Sequence, residues 1–243
     1  MLRYLLNFFY PPRCASCATR LPIDTKRHVC EPCLGRIERL VEPICERCGM
    51  PLEPANSSGD GLCHRCVQMP PKYGVARAAA RYRASGEEQD STLPSIIRRH
   101  KYGLDQSLAR ALAECIGEAM PFAPGSYDVV IPVPLHGRRL RWRGFNQAAL
   151  LGAVVARRLE CPLDAASLRR VKSTTPQTAK DLDTRRRNVH RAFAVKRPDA
   201  IANRRVLLVD DVMTTGATVD ECARTLLAAG ARSVDVFTLA RAL

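Results

Sequence analysis

Four branched aliphatics in a row, Val206-Leu207-Leu208-Val209, stand near the end of a chain of 243 residues. Their run is neither helical nor alternating, which suits a strand buried on both faces of a parallel sheet. Two adjacent carboxylates, Asp210 and Asp211, fall where that strand is expected to end. Small hydroxyl and glycine residues follow, then an apolar-periodic helix over 219–229 that stops at Gly230. Upstream, the stretch 128–134 begins as a second buried strand and is ended by Pro132 and Pro134, because proline cannot continue a central ladder. An arginine-rich loop over 135–144 leads from it into a helix that begins near Phe145-Asn146-Gln147. The pattern also predicts a strand over 75–82, a short helix over 93–100 and an amphipathic helix over 108–120. Residues 168–193 are polar and lack periodicity, which reads as a functional lid, with basic disorder as the alternative. A short strand near Val195 and a last strand over 234–240 close the sheet. Strands alternating with helices in this way define an α/β fold with a parallel sheet.

Composition is globular, with 46% hydrophobic residues, and this length can bury one good core and carry a small appendage. No apolar run approaches the ~18–20 residues that span a bilayer, so no membrane span is expected. Residues 1–10 are apolar, carry only Arg3 and precede no small-residue cleavage site; they read as a packing helix rather than a signal peptide. A cytoplasmic protein is the expectation. The net charge of +14 is uneven: residues 1–72 hold 10 Lys/Arg against 7 Asp/Glu, and the rest hold 28 against 17. A basic domain of catalytic size expects an anionic partner, either a phosphorylated small molecule or a nucleic acid backbone.

Eight of the 11 cysteines lie in the first 66 residues as four Cys-x-x-Cys pairs: Cys14/Cys17, Cys30/Cys33, Cys45/Cys48 and Cys63/Cys66. Each pair can place two thiolates on one tetrahedral ion, and two pairs complete a four-sulfur shell, so two structural Zn²⁺ sites are expected. A disulfide framework is the alternative, and no export signal favours it. His28 and His64 sit beside cysteines, but eight thiolates suffice without them. A segment this short and poor in large apolar residues depends on its metals to fold. Met69-Pro70-Pro71-Lys72 reads as a linker, dividing the chain into a cysteine-rich segment, 1–72, and an α/β domain, 73–243.

The turn after Asp211 has its own chemistry. A glycine there permits a tight bend, and N–H groups at a helix start, helped by threonine hydroxyls, form a concave anion site. Paired carboxylates suit sugar hydroxyls or a Mg²⁺ ion, at the strand ends where ligands of open α/β sheets bind. The loop with Arg138, Arg139, Arg141 and Arg143 around Trp142 faces the same strand ends; a solvated loop, or a nucleic-acid contact with Trp142 stacking on bases, is the alternative. Lys101, before an aromatic and a glycine, is a further candidate to reach a phosphate, with an ordinary surface lysine as the alternative.

Residues 206–218 resemble the phosphoribosyl-pyrophosphate (PRPP) motif of type I phosphoribosyltransferases, in which Asp210, Asp211, Val212, Met213, Thr214, Thr215, Gly216, Ala217 and Thr218 all fit. The resemblance implies Asp210 and Asp211 at the ribose hydroxyls and 214–218 around the 5-phosphate. It also implies a pyrophosphate loop holding Arg138, Arg139 and Arg143 and a flexible loop with Thr175, Gln177 and Arg187 over the substrate.

Over nearly its entire length the chain resembles the ComF (ComFC-like) family, in which a double zinc-ribbon segment precedes a type I phosphoribosyltransferase domain. The paired Cys-x-x-Cys, Lys101-Tyr102-Gly103, Pro132-Val133-Pro134, Arg143-Gly144-Phe145-Asn146-Gln147, the stretch from Gln177 to Arg187-Asn188 and the Asp210 motif carry the likeness. It implies a Rossmann-like parallel sheet that binds PRPP with Mg²⁺. It also implies a part in natural competence, the cytoplasmic handling of incoming single-stranded DNA, with a helicase-like partner. The alternative is an active phosphoribosyltransferase of nucleotide metabolism with an unidentified acceptor and no DNA role. No residue announces itself as general base; His136, His190, Lys172 and Lys180 are candidates.

Overall fold

The computed structural model describes residues 11–82, 92–96, 107–117, 119–172 and 182–243. In chain order the strands are β1 (Ala76–Tyr82), β2 (Val129–Pro132), β3 (Leu168–Arg170), β4 (Phe193–Val195), β5 (Arg205–Met213) and β6 (Ser233–Ala242). The helices are α1 (Glu31–Gly35), α2 (His64–Gln68), α3 (Ser107–Ile116), α4 (Gly137–Arg143), α5 (Gln147–Leu159), α6 (Leu182–Val189) and α7 (Ala217–Ala228). The central sheet runs β1, β6, β5, β2, with every pair parallel. β3 and β4 form a separate antiparallel pair.

Both faces of the sheet are buried, as the unbroken apolar runs require. Leu207, Val209, Phe237 and Leu239 point into a core shared with α3 and α5. Val206, Leu208, Val234 and Val236 point the other way, into a core shared with α7. The two cysteine groups divide between these cores: Cys14 and Cys33 belong to the first, and Cys45, Cys48, Cys63 and Cys66 to the second. The cysteine-rich segment therefore straddles one edge of the sheet.

That edge is β1, and its outer side is hydrogen-bonded to the cysteine-rich segment. Ala76 N donates to Arg47 O at 2.7 Å, and Arg81 N donates to Glu38 O at 2.8 Å. Approach is close enough that a Cβ on Gly49, whose φ is +65°, would lie 2.7 Å from Ala76 O. The first group is also clamped from above, since Glu114 of α3 accepts from the backbone N–H of His28 at 2.8 Å and of Val29 at 3.0 Å.

Several expectations are corrected. The stretch 135–144 is not a loop: α4 forms there, with His136 Nδ1 accepting from Arg138 N, because its arginines, leucine and tryptophan tolerate a helix once its first turn is capped. β5 does not end before the carboxylates but runs to Met213, because β6 keeps pairing with it, Asp210 to Thr238 and Met213 to Arg241. The expected last strand is present as β6, and it lies between β1 and β5. The amphipathic helix stops at Ile116, where Arg158 Nη2 takes up the Ala113 carbonyl at 2.9 Å. Within 168–193, β3 and α6 are ordered elements; Thr175, Gln177 and Lys180 lie outside the described residues, as does Lys101.

Candidate functional site

β2 ends at Pro132, the register partner of Val209, so Asp210 is the first residue of β5 with no β2 neighbour. Its carboxylate and that of Asp211 emerge at this step into a cleft of about 600 Å³, partly open to solvent. Asp210 Oδ1 accepts from Asp211 N at 2.9 Å, and Asp211 Oδ1 accepts from Val212 N at 2.7 Å. Burial, reinforced by the neighbouring Asp211 charge, pushes the Asp210 carboxyl well above its ordinary range. Two carboxylates so placed favour a cation or hydroxyl donors between them.

The opposite wall is cationic. Arg139 and Arg143, one turn apart on α4, line the cleft together with Arg170 of β3. Burial, then the nearby Arg139 charge, lowers the Arg170 guanidinium, and its Cζ rests 5.5 Å from the centre of the Phe193 ring. Asn146 fixes the start of α5: its Oδ1 accepts from Ala148 N at 3.1 Å and its Nδ2 donates to Val133 O at 3.1 Å. Among the described residues, neither the buried Nε2 of Gln147, a residue 3% exposed, nor the buried Nε of Arg143 has a hydrogen-bond partner. Buried donors without acceptors, beside three arginines, suit an oxygen-rich anion.

Beyond β5 the chain turns at Gly216, whose φ is +76°, and enters α7. A Cβ there would lie 2.8 Å from Met213 Cε, so only glycine fits without a shift. Thr215 Oγ1 accepts from Ala217 N at 3.3 Å, and Thr218 reaches the same cleft as the two aspartates.

The other named residues lie elsewhere. Val212 and Met213 pack into the two cores, and Arg138 is exposed and does not line the cleft. Arg187 is exposed on α6. Of the general-base candidates, His136 caps α4, and Lys172 Nζ donates to His190 O at 3.0 Å. Sequence reasoning passed over Arg170, hidden in a stretch without periodicity, and gave Gln147 no role of its own although it closes the Arg143-to-Gln147 motif.

The cysteines form two groups of four, Cys14, Cys17, Cys30 and Cys33, and Cys45, Cys48, Cys63 and Cys66, with all sulfurs of a group within 4.8 Å of one another. A tetrahedral ion at about 2.3 Å from each sulfur needs S···S separations of about 3.8 Å. Cys17 and Cys30, and likewise Cys48 and Cys63, are 3.7 Å apart. The donor set fits zinc, and four sulfurs leave no open position for catalysis. Hydrogen bonding from Cys66, opposed by burial and helped by the Arg241 charge, brings the Cys48 thiol down to about 5. Arg241 of β6 is 2% exposed, and no sequence pattern announced it.

Residues 5–67 match the double zinc ribbon domain, and residues 146–243 match the phosphoribosyl transferase domain. Among solved structures, adenine phosphoribosyltransferase from Thermoanaerobacter pseudethanolicus is 18% identical over 60% of this chain and 84% of that one, with a TM-score of 0.36. Sheet, strand-end cleft and paired cysteine groups thus define a protein of the type I phosphoribosyltransferase fold that carries a double zinc ribbon. The chain is 32% identical to Competence protein F of Haemophilus influenzae, over 98% of this chain and 100% of that one. It is 31% identical to the DNA utilization protein YhgH of Salmonella typhimurium, over 96% and 98%. It belongs to the ComF family. Among the described residues no helix is long and apolar enough to cross a membrane.

Proposed function

We propose that the cleft binds PRPP with Mg²⁺ and that the protein handles single-stranded DNA in natural competence. The single observation that carries the PRPP reading is the opposition across one cleft of Asp210 and Asp211 to Arg139 and Arg143. The carboxylates take the ribose hydroxyls, the turn from Thr214 to Thr218 takes the 5-phosphate, and the arginines take the pyrophosphate. Asp210 and Asp211 would hold Mg²⁺, which would supply charge neutralisation for a diphosphate in the cleft. Gln147 Nε2 supplies a further donor to an oxygen of the ligand.

The DNA reading is supported by the names of the relatives and by α4 itself. Arg139 and Arg143 line the cleft, while Arg138, Arg141 and Trp142 of the same helix are exposed to solvent, Trp142 at 71%. An exposed indole among arginines, on a chain of net charge +14, is a stacking platform for a single strand.

Calorimetry of the zinc-loaded protein tests the first reading. PRPP is expected to bind with Mg²⁺ and to lose its heat in the Asp210→Asn/Asp211→Asn double variant; equal heats in the two proteins would sink it. Pyrophosphate release in the presence of candidate acceptors distinguishes turnover from binding alone.

A further inference from the structure

The second cysteine group stands directly behind the turn assigned to the 5-phosphate. Cys48, Cys66, Tyr73, Thr215 and Gly216 line one small cavity between them. Three contacts cross it. Arg65, placed between Cys63 and Cys66, donates from Nη2 to the carbonyl oxygen of Thr215. Lys72 N donates to Asp220 Oδ1 in the first turn of α7. The Tyr73 hydroxyl lies 3.5 Å from where a Cβ on Gly216 would stand, so the buried tyrosine floors the turn.

Arg65 cannot hold its position unaided. It rides on α2, a helix of five residues, and helices that short do not persist by their own hydrogen bonds. Cys63 is the N-cap residue of α2 and Cys66 is its third residue, so ligation of both sulfurs pins the helix at either side of Arg65. The buried guanidinium of Arg241 adds an independent sign that this group carries negative charge. Its Nη2 is 3.6 Å from Cys48 Sγ, and its Nε and Nη1 have no hydrogen-bond partner among the described residues. Four thiolates around a divalent ion supply the compensating charge that a cation 2% exposed requires. Arg241 is also the register partner of Met213, the residue before the turn.

We propose that the second zinc site positions the sugar-phosphate turn through Arg65, which makes the Cys45–Cys66 ribbon part of the binding site. This rests on the PRPP reading of the cleft. The first group has a different task, since its hydrogen bonds to Glu114 tie it to α3.

The test uses full-length, zinc-loaded protein and the variants Arg65→Ala and Arg65→Lys, each checked for two zinc ions per chain and for melting temperature. Arg65→Ala is expected to keep both metals, to speed hydrogen exchange at the amides of 215–218, and to bind PRPP with Mg²⁺ about tenfold more weakly. Arg65→Lys, which keeps a donor and a charge, restores most of the affinity. Wild-type exchange and wild-type affinity in Arg65→Ala overturn the proposal, as does loss of zinc from that variant, which would make Arg65 a folding residue of the ribbon. If the unaltered protein gives no heat with PRPP, the 5-phosphate assignment fails, and the exchange data still decide whether Arg65 holds the turn.

Discussion

The Nη2 atom of Arg241 lies 3.6 Å from the sulfur of Cys48, a residue 193 positions earlier in the chain. The last strand and the second ribbon thus share one charge arrangement. Replacing Arg241 with methionine keeps the volume and deletes the cation. Breaking a buried ion pair in this way costs about 3 kcal/mol, or roughly 10 °C in melting temperature for a chain of this size. Zinc should also pass faster to a chelator from the second site; unchanged melting and release would show that the guanidinium is not the counter-charge.

Asp210→Asn should separate stability from binding. A carboxyl whose pKa is raised by folding imposes a cost that is absent below the ordinary carboxyl range and complete above the raised value. The amide never ionises, so the unliganded variant should melt a few °C higher at alkaline pH, a gain of about 1 kcal/mol. Its PRPP affinity should fall sharply. Melting curves across pH and calorimetry on one preparation check both statements.

Gly49→Ala should fail for a local reason. Its φ of +65° is strained for alanine, and the new methyl would sit 2.7 Å from the Ala76 carbonyl, which is backbone and cannot swing aside. A loss of about 2 kcal/mol or more is expected, together with weaker zinc retention in the second group. Thermal melting with metal analysis reads both.

Arg205 and Asp128 set an acid limb. Side-chain and backbone hydrogen bonds from Arg205 hold the Asp128 carboxyl at about 2, below its ordinary 3.8. A depressed pKa gives stability that is complete above 3.8 and lost as pH falls through about 2. Melting temperature should therefore decline over that window, and Asp128→Asn should flatten the decline.

Trp142→Ala should reduce affinity for a single-stranded oligonucleotide about tenfold while PRPP binding stays unchanged, because the indole is exposed to solvent and is not among the residues that line the cleft, as Arg139 and Arg143 are. Fluorescence anisotropy across a salt series reads the first effect and calorimetry the second. Equal losses of both ligands would place them in one site.

The features legible from sequence were those encoded by a local pattern. Val206 to Val209 announced a doubly buried strand because burial on both faces leaves no alternation, and the structure sends Val206 and Leu208 to one core and Leu207 and Val209 to the other. The four Cys-x-x-Cys pairs announced metal sites because the spacing alone closes a tetrahedral shell.

What stayed hidden depended on partners distant in the chain. The length of β5 past Asp210 is set by β6, and α4 forms where the arginine-rich stretch reads as a loop at the strand ends. Arg170 enters the cleft only because β3 and β4 carry it there, and Arg65 meets Thr215 across 150 positions of chain. Arg241 lies just past the strand read over 234–240, and only the neighbouring sulfurs explain a buried cation there.

The hydrogen bonds from Ala76 to Arg47 and from Arg81 to Glu38 have a practical consequence. Residue 72 marks a change in composition, but the two parts are sewn together on both sides of it. A truncated protein starting at residue 73 would display a bare alanine-rich ladder with unanswered amides, open to edge-to-edge polymerisation. The ribbons are the selvedge of this sheet, and they cannot be cut off without fraying the cloth.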